Sequence, residues 1–518
     1  MPSKSPNVLY VVLDTQRRDR LSVYGAARET SPELEKFAAQ SSVFARAVSA
    51  AQWTVPSHTS MFTGLYSSTH QVTQADGQLS GAYPALAEIL RGAGYHTAAF
   101  CNNPLVGVLN NGLQRGFERF YNYASAAPFR PTEERRGRLQ REVLRTFRRY
   151  FARPLGNQFA QSDALFRFSL HPFFVPLWTR LINYKGNTAA SIDDLIAYWG
   201  AHTAGGTDKP LFAFLNLMGV HTPYNPPQDD LDRVAPGVRH NRHAYRFMRE
   251  FNADAARWAS PTDPPLADWE RQTLDDFYDA EIANQDYHLG RLLKYLGESG
   301  ALENTLVIIC ADHGEGHGDH GFAGHSFVVY QELVHVPLVI RYPDHFPAGK
   351  RIATNISTRR LFHTVLEAAG VKPPLDEADP NADIEHLTLK HAANGEPDIE
   401  QGVAFAEAFP PEIFLGVIQH RNAALIKRLQ LAHVRRGVYH DQYKLAMVGD
   451  QVEGLFDIGD DPAETRDIAA QNGALTADLK RQISGFVAQA ESRRADTAMF
   501  APVDDMVLDQ LRALGYIE

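Results

Sequence analysis

Short apolar runs that stop at polar residues constrain this chain more than any other feature. Val8–Leu13, Thr97–Phe100, Leu211–Leu217, Leu306–Cys310 and Val336–Ile340 are brief and almost wholly apolar. Runs of that length, rich in Val, Ile, Leu and Phe, predict parallel strands buried on both faces. Between them, Ser31–Ala39, Tyr83–Arg91 and Asp279–Leu296 carry amphipathic helical spacing and serve as crossovers. The expected fold is α/β, with a large central, mostly parallel sheet flanked by helices. In open sheets of this kind ligands bind beyond the carboxyl ends of the strands. Asp14, Asn102 with Asn103, His221, and Asp312 with His313 all stand just past such ends. The topology therefore gathers them at one edge.

A chain of 518 residues has room for one large domain and a smaller appendage. Past about Leu375 the character changes, with Pro373-Pro374 and the polar stretch 376–383 reading as a linker. Strand-like pieces at Gly402–Phe405, Gln442–Val448 and Glu453–Asp457, with helical spacing at Leu475–Ser492 and Met506–Leu514, predict a small C-terminal α+β subdomain. The expected division is 1–380 and 381–518. A formal net charge of -10 gives no support to a nucleic-acid partner. Cys101 and Cys310 make neither a disulfide framework nor a zinc knuckle. The first apolar run is too short and too soon charged for a signal peptide. No apolar stretch reaches the ~18 residues of a membrane-spanning helix. The expected location is the cytoplasm.

Asp14 ends one strand, and Asp312-His313-Gly314 ends another. With the hydroxyl of Thr54, which heads Thr54-Val55-Pro56-Ser57-His58, these make a compact four-ligand set of Asp, Asp, His and Thr. A mixed nitrogen and oxygen set suits one divalent ion, Zn or Mn in preference to Ca or Mg. Such an ion would lower the pKa of the Thr54 hydroxyl for attack. Pro56 and the Ser57–Leu65 segment suit a helix start, whose free N–H groups favour a phosphoryl anion.

Taken together, these residues resemble the sulfatase branch of the alkaline phosphatase superfamily. The likeness runs from Asp14–Asp19 through Thr54–Gly64, Gly94–Ala98, Phe214–Pro227 and Asp312–Gly316 to Gly454–Asp457 and Asp461–Thr465. In that family a Cys or Ser at position 54 would become formylglycine, which threonine cannot. Thr15 stands where sulfatases keep a second aspartate, and His58 where they keep an arginine. The segment Asp312–Gly321, ending at His325, is similar to phosphoethanolamine transferases and lipoteichoic acid synthases, and the site is also similar to that of phosphonate monoester hydrolases.

The resemblance implies that Asp14, Thr54, Asp312 and His313 hold the metal, with Thr54 as nucleophile. It further implies that His221 and His325 bind phosphoryl oxygens or protonate the leaving group. His58 and Asn103 complete the substrate contacts, Asn103 with a turn-stabilising role as its other reading. The expected activity is hydrolysis of a phosphodiester, phosphonate or phosphate monoester. Sulfuric ester hydrolysis without formylglycine, phosphotransfer, and a non-catalytic binding protein on the same fold stand as alternatives.

One further segment, inserted at about 125–185, combines an arginine-rich amphipathic run over Glu133–Arg153 with aromatics through Trp178. It reads either as a lid or oligomer contact, or as a membrane-surface element over 133–178 admitting a lipid-like ester. The partners expected are a small-molecule or lipid-like substrate and a second copy of the chain.

Overall fold

The computed structural model describes residues 5–124, 129–131, 185–253, 261–343, 345–377, 379–495 and 499–500. The basic and aromatic segment expected at 133–178 and the helix expected at 506–514 lie outside the described residues.

Strands of the large sheet, in chain order, are β1 (Asn7–Leu13), β2 (Ser42–Val48), β3 (His96–Cys101), β4 (Arg119–Asn122), β5 (Leu211–Leu217), β6 (Thr305–Cys310), β7 (His335–Arg341), β8 (Lys350–Ile352) and β9 (Ile356–Ser357). Their spatial order is β8-β2-β7-β6-β1-β5-β3-β4, with β9 also on β2. β1 pairs in parallel with both β5 and β6 at the centre. One expected parallel strand runs the other way: β7 is antiparallel to both β2 and β6. An apolar run reports burial, not direction. The chain leaves β6 at the carboxyl edge, builds the Ala311–Val334 loops there, and re-enters the sheet from that same edge.

Alternation along β1 feeds two cores, because successive side chains point to opposite faces. Leu9, Val11 and Leu13 pack with Trp199 and with the helices Pro32–Ala38, Thr188–Ala204 and Asp268–Glu298. Val8, Tyr10 and Val12 face the other side, with Phe62, Leu90 and the helix Leu361–Ala369. The helix expected over Asp279–Leu296 begins earlier and spans Asp268–Glu298. Leu389, Ala392 and Ala393, past the expected linker, belong to the core of the large sheet.

The C-terminal part is a four-stranded antiparallel sheet of Val403–Ala408, Arg435–His440, Tyr443–Val448 and Gln451–Asp457. Leu479 and Ile483 of the helix Gly473–Ser492 pack on one face of it. Its other face meets Phe327–Val329 and Leu333–Val334, the segment that follows His325. A buried ion pair fastens that joint. Lys444 Nζ lies 2.5 Å from Glu464 Oε1 and 2.5 Å from the Val329 carbonyl, and Glu464 Oε2 accepts the Gln331 N–H at 2.7 Å. Among the described residues no helix is long and apolar enough to cross a membrane.

Candidate active site

The backbone N–H of Asp14 donates to the Leu217 carbonyl at 2.8 Å, which brings the carboxyl ends of β1 and β5 together. Thr15 follows with φ of +59°, a left-handed conformation uncommon for a β-branched residue. That turn aims its N–H at Asp312 Oδ1, 3.2 Å away, and its hydroxyl at the Asp14 carbonyl, 2.7 Å away. Thr15 thus braces both aspartates.

Thr54 begins the helix Thr54–Thr63, three residues ahead of the segment expected from sequence. It is 1% exposed, and its Oγ1 lies 3.3 Å from His313 Nε2 and 3.5 Å from Asn103 Nδ2. His313 Nδ1 donates to the Gly314 carbonyl at 2.8 Å. Its Nε2 therefore carries the lone pair, and it also lies 3.3 Å from Asp312 Oδ2. A ring held by an Nδ1–H bond to a carbonyl is how proteins orient metal-binding histidines.

Both aspartates are fully buried, and Asp14 Oδ1 and Asp312 Oδ2 have no hydrogen-bond partner. Burial, reinforced by the neighbouring Asp312 carboxylate, pushes Asp14 up to about 7 against the opposing pull of His313, Asn103 and Asn216. Burial likewise pushes Asp312 up to about 8, although the Thr15 and His313 N–H groups oppose it. An orphaned Asp312 oxygen beside the His313 Nε2 lone pair, with the Asp14 carboxylate near it, is a donor set that a divalent cation fits. Atoms of Asp14, His58 and Asp312 also lie within 4.8 Å of one another.

His58 sits behind this cluster. Its Nδ1 donates to the Thr54 carbonyl at 2.9 Å and lies 3.4 Å from Asp312 Oδ2, while Nε2 is 3.3 Å from Asn216 Nδ2. Phe62 and Phe214 pack edge-on against the ring, and burial pushes its pKa down to about 3. The residue expected at the substrate thus braces the helix start and the carboxylates from within.

His221 and His325 come together as expected, with ring centroids 5.2 Å apart, and His325 lies 4.5 Å from His313. Burial, then the neighbouring His325, lowers His221 to about 3. Burial also lowers His325 to about 4, and burial with His325 lowers His313 to about 4. Burial thus disfavours the charged form of all three rings. His325 Nδ1 donates to Glu315 Oε1 at 2.9 Å. Asn103 Nδ2 donates to Asp14 Oδ2 at 2.6 Å, whereas Asn102 is spent on Asn216, Ser191 and Asn187.

Sequence reasoning missed Glu315, Tyr224 and Asn216. Glu315 sits in the motif as Asp-His-Gly-Glu, which is a usable signal. Asn216 lies inside an apolar strand run, where an amide calls for an explanation.

A buried hydroxyl at a helix start beside a buried imidazole, with two buried carboxylates at the same sheet edge, is an arrangement of the kind that cation-assisted ester hydrolases use. The sulfatase family model matches residues 6–371, and the chain belongs to that family. An ulvan-active sulfatase of Formosa agariphila is 24% identical over 413 residues, 77% of this chain and 70% of the relative. An arylsulfatase of Clostridium perfringens is 22% identical over 429 residues, 75% and 77% of the two chains. The phosphonate monoester hydrolase of Agrobacterium radiobacter superposes with a TM-score of 0.65 at 21% identity, over 94% of this chain and 96% of that one. At that identity the structural likeness is one of fold.

Proposed function

We propose that this sulfatase-family hydrolase cleaves a phosphoester, whether phosphodiester, phosphonate or phosphate monoester, with the Thr54 hydroxyl as nucleophile. The observation that carries the reading is the place of Thr54 Oγ1: buried at a helix start, 3.3 Å from the His313 Nε2 lone pair. Asp14, Asp312, His313 and Thr54 would hold one divalent cation, and the imidazole favours Zn or Mn over Ca or Mg. A cation there would acidify the hydroxyl and balance the aspartate charge.

Thr54 gives up its hydroxyl proton to water, and its oxygen bonds to phosphorus as the bond to the leaving oxygen breaks. His221 and His325 bind the equatorial oxygens; His325, taken up as the imidazolium beside Glu315 and the substrate anion, passes its Nε2 proton to the leaving oxygen and is left neutral. Water then attacks the phosphothreonine ester: its oxygen bonds to phosphorus, one of its protons goes to His325 Nε2, the bond from phosphorus to the Thr54 oxygen breaks, and that oxygen is reprotonated from water.

Thr54→Ala with unchanged metal content is expected to lose turnover on the order of 10³-fold or more. Wild-type turnover in that variant rules the reading out. Sulfuric ester hydrolysis is the second reading, favoured by the names of the two curated relatives. Parallel assays on nitrophenyl sulfate, phosphate, phosphodiester and phosphonate decide between them.

A further inference from the structure

A line of buried side chains runs from the helix Asp268–Glu298 to His325. Asp275, with its side chain 26% exposed, accepts the His317 Nδ1–H at 2.9 Å. His317 Nε2 lies 3.0 Å from the Tyr224 hydroxyl, which lies 3.5 Å from Glu315 Oε2. Glu315 Oε1 in turn accepts the His325 Nδ1–H at 2.9 Å. Tyr224, Glu315 and His317 are at most 2% exposed. The His317 ring is clamped edge-on between Tyr224 and Tyr278, with centroids 5.8 Å and 4.8 Å away. Arg17 holds the Glu315 carbonyl at 3.1 Å, so the backbone at that end is pinned as well.

We infer that Asp275, His317 and Tyr224 are positioning residues that hold the Glu315 carboxylate, and through it His325, for the leaving-group step. The inference rests on the role given to His325 above. Donation from Nδ1 to a carboxylate fixes the tautomer and turns Nε2 toward the substrate. That service needs a carboxylate that does not rotate. A buried carboxylate oxygen without a donor is costly and turns toward any it can find. Tyr224 supplies the donor on the Oε2 side when His317 carries a proton on each ring nitrogen, its Nδ1–H on Asp275 and its Nε2–H on the phenol oxygen, which keeps the phenol in place.

Core packing alone would produce the same contacts, so the test must read chemistry. Tyr224→Phe and His317→Gln in the full chain are to be compared on two esters of one phosphonate, with a nitrophenol and a simple alkanol as leaving groups. Metal content by plasma emission and melting temperature are measured alongside. The expected result is a fall in kcat of at least about tenfold on the alkyl ester. The nitrophenyl ester, whose leaving oxygen needs no proton, changes by about twofold or less, with KM and metal content unchanged. Equal losses on the two esters, or no loss on either, overturn the inference. If Tyr224→Phe does not fold, Asp275→Asn near the surface carries the same comparison. Thr54→Ala in the same assays keeps the two readings apart: its retained turnover would sink the nucleophile, whereas the leaving-group ratio alone judges the positioning chain.

Discussion

Asn103 grips Asp14 from one side and caps a short helix from the other. Its Nδ2 donates to Asp14 Oδ2 at 2.6 Å, and its Oδ1 accepts the Leu105 N–H at 2.8 Å. Of the two readings open to it from sequence, these contacts are those of the turn stabiliser, with a grip on the Asp14 carboxylate beside Thr54 added to it. Asn103→Ala is expected to weaken metal affinity by roughly 10- to 100-fold, because it frees the Asp14 carboxylate to turn. A metal titration checks this. Unchanged affinity would mean that Asp14 is held by other contacts.

Chelation is expected to lower the melting temperature as well as abolish turnover, because a bound cation relieves two buried carboxylates near neutrality. Zn or Mn is expected to restore both readouts better than Ca or Mg. A melting temperature indifferent to chelator would show that no cation sits between these aspartates.

Asp275 makes a prediction in pH. Burial pushes its pKa up, but the hydrogen bond and charge of His317, with Arg20 and Arg17, outweigh it and hold the group at about 2. A folded-state value below the ordinary one adds stability above about pH 4, and that stability drains away as pH falls toward 2. The difference in unfolding free energy between wild type and Asp275→Asn is expected to shrink by about 1 kcal/mol between pH 6 and pH 3. Urea titrations at the two pH values check this, and a constant difference refutes it.

Gly314 permits the tight approach of two loops. A Cβ at that position would lie 1.9 Å from the Glu332 carbonyl oxygen, a backbone atom that cannot swing aside. Gly314→Ala is expected to cost about 1–3 kcal/mol or more and to displace His313. A melting temperature within a degree of wild type would contradict the contact.

Much of the site was legible because it sits at strand ends. Asp14, Asp312 and His313 each follow an apolar run, and an open sheet leaves such residues only one edge to share. Strand β2 was missed because Ser-Val-Phe-Ala-Arg-Ala-Val interrupts its apolar character with Arg46. The placing of His58 could not be read either, since one helical turn decides whether a side chain faces the crevice or the carboxylates. Tyr224 and Asp275 stayed hidden for a different reason. Their partners come from His317 and Glu315, 42 to 93 positions away, and a single chain gives no sign of such pairings.

The Lys444–Glu464 pair grips Val329 and Gln331, a few positions beyond His325. The C-terminal sheet is thus part of the mould in which the loop after His325 sets. Transplanting the corresponding region from a relative would bring in a foreign clasp. Any such hybrid enzyme has to inherit both charges and the loop they hold as a single cassette.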